Sequence, residues 1–163
     1  MDLEQIASQL AHTAHSIEHL ATGIPDEQAD WQPDPESWSI LGVMVHMFHE
    51  EIGDFRHRLA QGLGIDNPRA PVPADFETGR GLDETLALFL AERERSLAWL
   101  RGLDVADWQT PCPISNGSTI PAGSMLLSWP AHDLLHLRQL IELHYAWSVK
   151  AAAPYALAYA GDW

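Results

Sequence analysis

Several things are scarce in this chain of 163 residues, and each scarcity removes a class of protein. Cysteine occurs once, at Cys112, so neither a disulfide framework nor a Cys-rich zinc module can be built from it. Cations are few: nine Lys+Arg stand against 23 Asp+Glu, a formal charge of −14, and only one of the nine is lysine. No basic cluster occurs, and a surface of that sign repels a phosphate backbone, so nucleic acid is not expected as a partner. Apolar runs of about 18 residues are missing, so no membrane-spanning helix is expected. The opening MDLEQIASQL has neither the cations nor the apolar run of an export signal, and a cytoplasmic protein is the expectation. No convincing strand run of parallel-sheet type is found, which disfavours an α/β fold.

What is present is enough apolar material for a core, 46% of residues, in a length that suits one domain over residues 1–163. Four segments carry helical periodicity. In the first, Leu3, Ile6, Leu10, Ile17 and Leu20 share a spacing that stops at Gly23. The second runs from about Ser39 to Gln61, with Ser37 or Ser39 as N-cap and Gly62 after it. The third spans Leu82 to Arg101, opened by Asp83 and Glu84. The fourth reaches from about Ser124 to Val149, and the apolar PYALAYAGDW that ends the chain is expected to pack onto the rest.

Between them, residues 63–81 are rich in Pro and Gly and read as a long crossover. Residues 110–121 place Asn116-Gly117 between short β-prone stretches, which predicts a small hairpin. Gly23-Ile24 leading to Ala29-Asp30-Trp31-Gln32-Pro33 is echoed by Gly102-Leu103 leading to Ala106-Asp107-Trp108-Gln109, with Pro111 beyond. Two matching elbows, each Trp at one end of a bundle, account for the echo. The predicted architecture is all-α, a four-helix bundle with one long crossover.

Histidine is the abundant chemical group, at nine residues. His12, His15 and His19 fall opposite the apolar stripe of the first helix and read as solvent-facing. His57 lies at a polar helix end and also reads as surface, while His144 stays unassigned. His132 and His136 are different. They lie one turn apart on a face shared with Met125, Trp129, Leu140, Leu143 and Trp147. Buried imidazoles need partners, so this pair is either bonded to internal polar groups or aimed at one metal ion. A third ligand must come from elsewhere. His46 sits in an almost wholly apolar stretch, Ile40 to Phe48, but the densest apolar side points away from it. His49 and Glu50 therefore remain alternatives, as ligands or as supports of a ligand.

Taken together, Trp38-Ser39-Ile40 followed by His46, and then Ala131-His132-Asp133-Leu134-Leu135-His136-Leu137-Arg138-Gln139-Leu140, resemble the DinB-like superfamily of small bacterial metal-binding bundles. The closing Tyr159-Ala160-Gly161-Asp162-Trp163 is similar to tails in that group. The resemblance spans the whole chain. It implies a divalent ion, one per chain, on His46, His132 and His136. It also implies a small-molecule substrate, because some relatives transfer external thiols such as bacillithiol, mycothiol or glutathione, or isomerise substrates with thiol help. The family name refers to DNA-damage induction, and with it to stress response, yet the −14 charge opposes direct DNA contact. A homodimer fits the resemblance and the seven Trp, with no sequence feature marking its interface.

The expected function is therefore a metal-dependent enzyme, such as a low-molecular-weight-thiol S-transferase or a hydrolase. Its rival is a non-catalytic, metal-stabilised bundle that binds a ligand or senses one. Three neutral imidazoles leave an open coordination position and suit Zn, Ni, Fe or Co. Candidate catalytic groups are Glu50 as general base, Gln139 as an orienting group one turn beyond His136, and Arg93. Arg93 sits inside the apolar stripe of the third helix, and an internal Asp or Glu partner is preferred there over a substrate carboxylate. Cys112 reads as structural, so any thiol chemistry takes its thiol from outside. Asp133 stands where a metalloprotease helix carries Glu, with shorter reach, and no protease-like sheet is predicted. Neither motif helix has the Glu-x-x-His of a di-metal carboxylate bundle. Pro130, two residues before His132, is expected to kink the fourth helix or to mark a later start capped by Ser128.

Overall fold

Helix α1 (Leu3–Ala21) begins where the Asp2 carboxylate accepts a hydrogen bond from the Gln5 N–H, and it buries Ile6, Leu10, Ala14 and Ile17 along one stripe. His12, His15 and His19 are exposed on its other side, as their spacing predicts. The structure is a computed structural model and describes residues 1–66, 80–104 and 107–161; most of the expected crossover, 67–79, lies outside the described residues, as do Ala106 of the second elbow and the last two residues. A short α2 (Asp26–Asp30) precedes α3 (Ile40–Gly53), whose cap is Ser39: its hydroxyl accepts from the Gly42 N–H.

The one long helix expected from Ser39 to Gln61 is in fact two. At Asp54 the backbone leaves helical geometry (φ −116°, ψ −91°), and α4 (Phe55–Leu63) restarts beyond it. Gly53 and Asp54 are both poor helix formers. The restart carries Phe55, Arg56, Leu59 and Ala60 into the interior. Helix α5 (Leu82–Arg101) has the predicted bounds, and α6 (Ala122–Ala151) is slightly longer at both ends than predicted. It runs unbroken through Pro130, so Ser128 is no start cap; its hydroxyl donates to the Ser124 carbonyl instead.

Helices α1 and α3 lie diagonally across the bundle, each flanked by α5 and α6, with α4 continuing along α6. The predicted hairpin is there: β1 (Pro111–Pro113) pairs antiparallel with β2 (Thr119–Pro121), Cys112 opposite Ile120, and Gly117 takes the left-handed conformation in the turn. It seats on α4 at Gly62, where an added Cβ would fall 2.3 Å from Cys112 Sγ and 2.8 Å from its Cα. Cys112 is wholly buried, and burial pushes its thiol pKa up. It is a packing residue.

The two elbow tryptophans serve opposite ends of α6. Trp31 meets Trp147 edge-on at 5.5 Å between ring centres, whereas the Trp108 carbonyl accepts from the Gly123 N–H. The chain end departs from expectation: Tyr155 and Tyr159 are exposed, and among its described residues only Leu157 is half-buried. No described helix is long and apolar enough to cross a membrane.

The core comes in two apolar clusters, one around Ile17, Met44, Phe89 and Leu140 and one around Leu10, Leu59, Leu97 and Trp129. Between them lies a polar waist. Along α5 the order is Phe89, Arg93, Leu97; along α6 it is Trp129, Asp133, Leu140; along α1 it is Leu10, Thr13, Ile17. Arg93 bridges Glu51 of α3 and Asp133 of α6, and Asp133 also accepts from the Thr13 hydroxyl at 2.7 Å.

Candidate metal centre

Beside the waist, α3 and α6 bring three imidazoles to one point. His46 comes from the middle of α3, and His132 and His136 come from one turn of α6. The Nε2 atoms converge: His46 to His132 is 3.3 Å and His136 to His132 is 3.1 Å. All three rings are half-buried. By periodicity His46 is the weakest candidate of the three; among the described residues it is His46, and neither His49 nor Glu50, that converges with the α6 pair.

Two of the ring nitrogens turned away from the cluster have polar groups near them, one at hydrogen-bond distance. His136 Nδ1–H donates to Gln139 Oε1 at 2.9 Å, which fixes the tautomer and leaves Nε2 with a free lone pair. His46 Nδ1 stands 3.9 Å from a Glu50 carboxylate oxygen, close enough for electrostatic attraction but beyond a direct hydrogen bond. The walls are aromatic. Phe55 meets His132 edge-on at 5.1 Å and lies parallel to Trp129, and Trp38 meets His46 edge-on at 4.9 Å and lies parallel to His136 at 6.2 Å. The break at Asp54 is what brings Phe55 under the cluster.

Burial disfavours the charged form at two of the three imidazoles. Burial pushes the His132 pKa down to about 4 from its ordinary 6.5, helped by His136 and His46, with Asp133 pulling the other way and Arg93 adding a little. Burial also lowers His46, with His136 and His49 contributing. Glu50 moves up because burial outweighs the nearby Arg58. At neutral pH His132 and His46 are therefore held in their neutral form.

Arg93 is not part of this chemistry. It is 2% exposed, and its five N–H groups are all used: Nε and one Nη on Glu51 at 3.0 and 2.8 Å, the rest on Asp133 and the Leu10 carbonyl. Burial alone would weaken its charge, but Glu51 and Asp133 outweigh that and hold it protonated. A guanidinium with no free donor has nothing to offer a substrate carboxylate, so the internal alternative is the one found. Asp133 is likewise buried and bonded away from the imidazoles, unlike the base of a metalloprotease helix. His144 binds Gln28 and the Leu20 carbonyl and ties α6 to the α1–α2 elbow. His57 is half-buried rather than a plain surface group.

Two clefts share Trp38 as a wall. One, about 470 Å³, is lined by Glu36, Ser37, Gln139, Glu142 and Leu143 among others; the second, about 360 Å³, by Gln32, Gly42, Val45, His46 and His49. Both have the size of small-molecule sites. Sequence reasoning missed the wall residues Trp38 and Phe55. Trp38 sits one residue before a helix cap, a position that periodicity does not score, and Phe55 depends on an unforeseen break.

A bundle whose facing helices supply convergent imidazoles belongs to the class that builds metal sites between helices. The DinB superfamily model matches residues 9–140, and the chain belongs to that superfamily. Its fold is similar to that of YfiT from Bacillus subtilis, with a TM-score of 0.72 and 17% identity over 90% of this chain and 87% of that one. YfiT is described as a probable metal-dependent hydrolase with an unusual four-helix bundle topology. No curated protein matches this sequence.

Proposed function

We propose that this chain is a metal-dependent enzyme in which Nε2 of His46, His132 and His136 holds one divalent ion beside the clefts that share Trp38. The observation that carries the reading is the spacing of those nitrogens. A tetrahedral ion with metal–nitrogen bonds of about 2.0–2.1 Å needs ligand nitrogens about 3.3–3.4 Å apart, and the cluster has 3.1 and 3.3 Å. Neutral imidazole nitrogens that close need a cation or a tautomeric N–H between them. A single N–H on His132 Nε2 can lie towards one neighbour at a time, whereas one ion engages all three lone pairs together. The depressed pKa of His132 disfavours an extra proton as the alternative cation.

An ion with three imidazole ligands and an open position supplies a Lewis acid that acidifies a bound water or thiol. The chain's own residues do the rest. Gln139 holds the His136 ring with Nε2 inward. Glu50, raised in pKa and behind His46, is the carboxyl group placed to take up a proton. Trp38 and the clefts receive a small-molecule substrate. Because Cys112 is buried with its thiol pKa raised, a thiol nucleophile would come from solution. The YfiT description favours water as that nucleophile, and the family resemblance favours a low-molecular-weight thiol.

Metal analysis after separate supplementation with Zn, Ni, Fe or Co tests the site. About one ion per chain is expected, lost in His132→Ala and His136→Ala. No bound ion under any supplementation overturns the proposal. With metal bound, an ester and amide panel and an electrophile panel with added thiols separate hydrolysis from transfer. Inactivity across both panels with the ion in place would favour the ligand-binding module.

A further inference from the structure

The internal cluster uses three of the nine histidines, and three others share one exposed stripe. His12, His15 and His19 all lie on the outer face of α1, opposite the buried Ile6, Leu10, Ala14 and Ile17. Among the described residues no hydrogen bond, ion pair or ring contact engages any of their side chains. Every other histidine is engaged: His46, His132 and His136 with one another, His144 with Gln28 and Leu20, and His49 and His57 in contacts of their own.

The spacing within the stripe is not uniform. His15 and His19 are four residues apart, so their Cβ atoms are offset by about 40° around the helix and about 6 Å along it. Two imidazoles at that offset can meet at one ion, and it is the offset of His132 and His136 as well. His12 and His15 are three residues apart and diverge by about 60°. The exposed rings can turn onto a common ion without giving up any existing bond.

Charge favours the same place. Helix α1 contains no lysine or arginine, and Glu18 lies between the two histidines in sequence. His19 falls in the last turn of α1, where the carbonyl end of the helix favours a cation. The −14 charge of the chain raises the local concentration of cations further.

We infer that His15 and His19 form a second, exposed site for a divalent transition-metal ion on the outer face of α1. Imidazole nitrogen selects Cu, Ni or Zn over Mg and Ca, which prefer oxygen. Two nitrogens hold an ion less tightly than three, so this site fills after the internal one and empties on desalting. It shares no residue and no helix with the internal cluster, so it stands whether or not that cluster binds metal.

Titration of Cu(II) into the full chain carrying His132→Ala and His136→Ala tests it, read by calorimetry and electron paramagnetic resonance. One ion per chain is expected, with a resonance split by two nitrogens. Adding His15→Gln or His19→Gln should weaken binding at least about tenfold, because each removes one of two ligands. His12→Gln should change it less than about twofold, and helical circular dichroism should stay the same throughout. The unsubstituted chain gives a parallel reading: in excess Cu(II) it should hold one ion more than the chain with His15→Gln and His19→Gln alone. Excess Mg(II) should displace nothing. Absence of the extra ion overturns the inference. So does binding indifferent to both ligand substitutions, a loss in His12→Gln as large as in His19→Gln, or displacement by Mg(II).

Discussion

Asp133 and His132 are consecutive on α6, yet they serve polar environments of opposite kinds. Asp133 enters the waist, where two carboxylates surround one guanidinium, every guanidinium N–H has an acceptor, and Thr13 and Trp129 add donors. That environment is closed: none of its buried side-chain polar atoms lacks a hydrogen-bond partner. His132 enters a half-buried cluster where three imidazoles point the same kind of atom at one spot. That environment is open, because one N–H on His132 Nε2 cannot serve both neighbouring nitrogens at once. Two neighbouring polar groups on one turn of helix, one buried and one half-buried, thus divide into a structural network and a candidate site, and the division is made by whether the partners are complementary or alike.

Substitutions can break this contrast. The largest effect belongs to the closed side. Arg93→Met keeps volume but strands Glu51 and Asp133 without their cation, and it should cost about 3–5 kcal/mol of stability in urea denaturation. A cost below about 1 kcal/mol would mean the waist is not the saturated network its geometry implies. His132→Ala, by contrast, should cost the metal and leave the apo fold standing.

A middle-sized effect tests the support behind the open side. Gln139→Ala removes the acceptor that fixes His136 and should weaken metal affinity by about 10–100-fold, read by competition with a chelating dye. Gln139→Glu retains an acceptor for the His136 Nδ1–H and should restore most of the loss. Equal losses in both variants would reduce Gln139 to an ordinary packing residue.

The smallest effect is one of pH. His132 is held near 4 in the folded apo protein against 6.5 when unfolded. Above 6.5 neither state is protonated. As pH falls from about 6.5 towards 4 the unfolded chain takes up a proton that the folded chain refuses, so stability is lost across that window. His46, also lowered, acts with the same sign. Thermal melts of the metal-free protein should show this slope, and His132→Asn should flatten it. An unchanged slope in the variant would assign the titration elsewhere.

Periodicity located α1, α5 and α6 to within a residue or two because each carries a sustained apolar stripe, and the hairpin because Asn116-Gly117 is a turn with a mechanism. The break at Asp54 was not legible: Leu41, Val45, Phe48, Ile52 and Leu59 keep helical spacing straight across it. Spacing alone places His132 and His136 on one face of α6 but leaves open whether they bond internal polar groups or aim at one ion. His46 was not legible in this way, because α3 is apolar nearly all round and its site-facing side is set by which neighbours flank it.

The sequence by itself determined the elements, the all-α class, the poverty of cations that opposes nucleic acid, and one turn of helix carrying two imidazoles. Those are local properties, written in periodicity and composition. Only the tertiary structure decided which buried charges close on one another and which nitrogens are left facing. It drew Arg93 to Glu51 and Asp133, chose His46 over His49 and Glu50, and set Phe55 and Trp38 as walls. The physical reason is distance: these groups lie dozens of residues apart along the chain, and burial makes their pairing decisive only once the helices have packed.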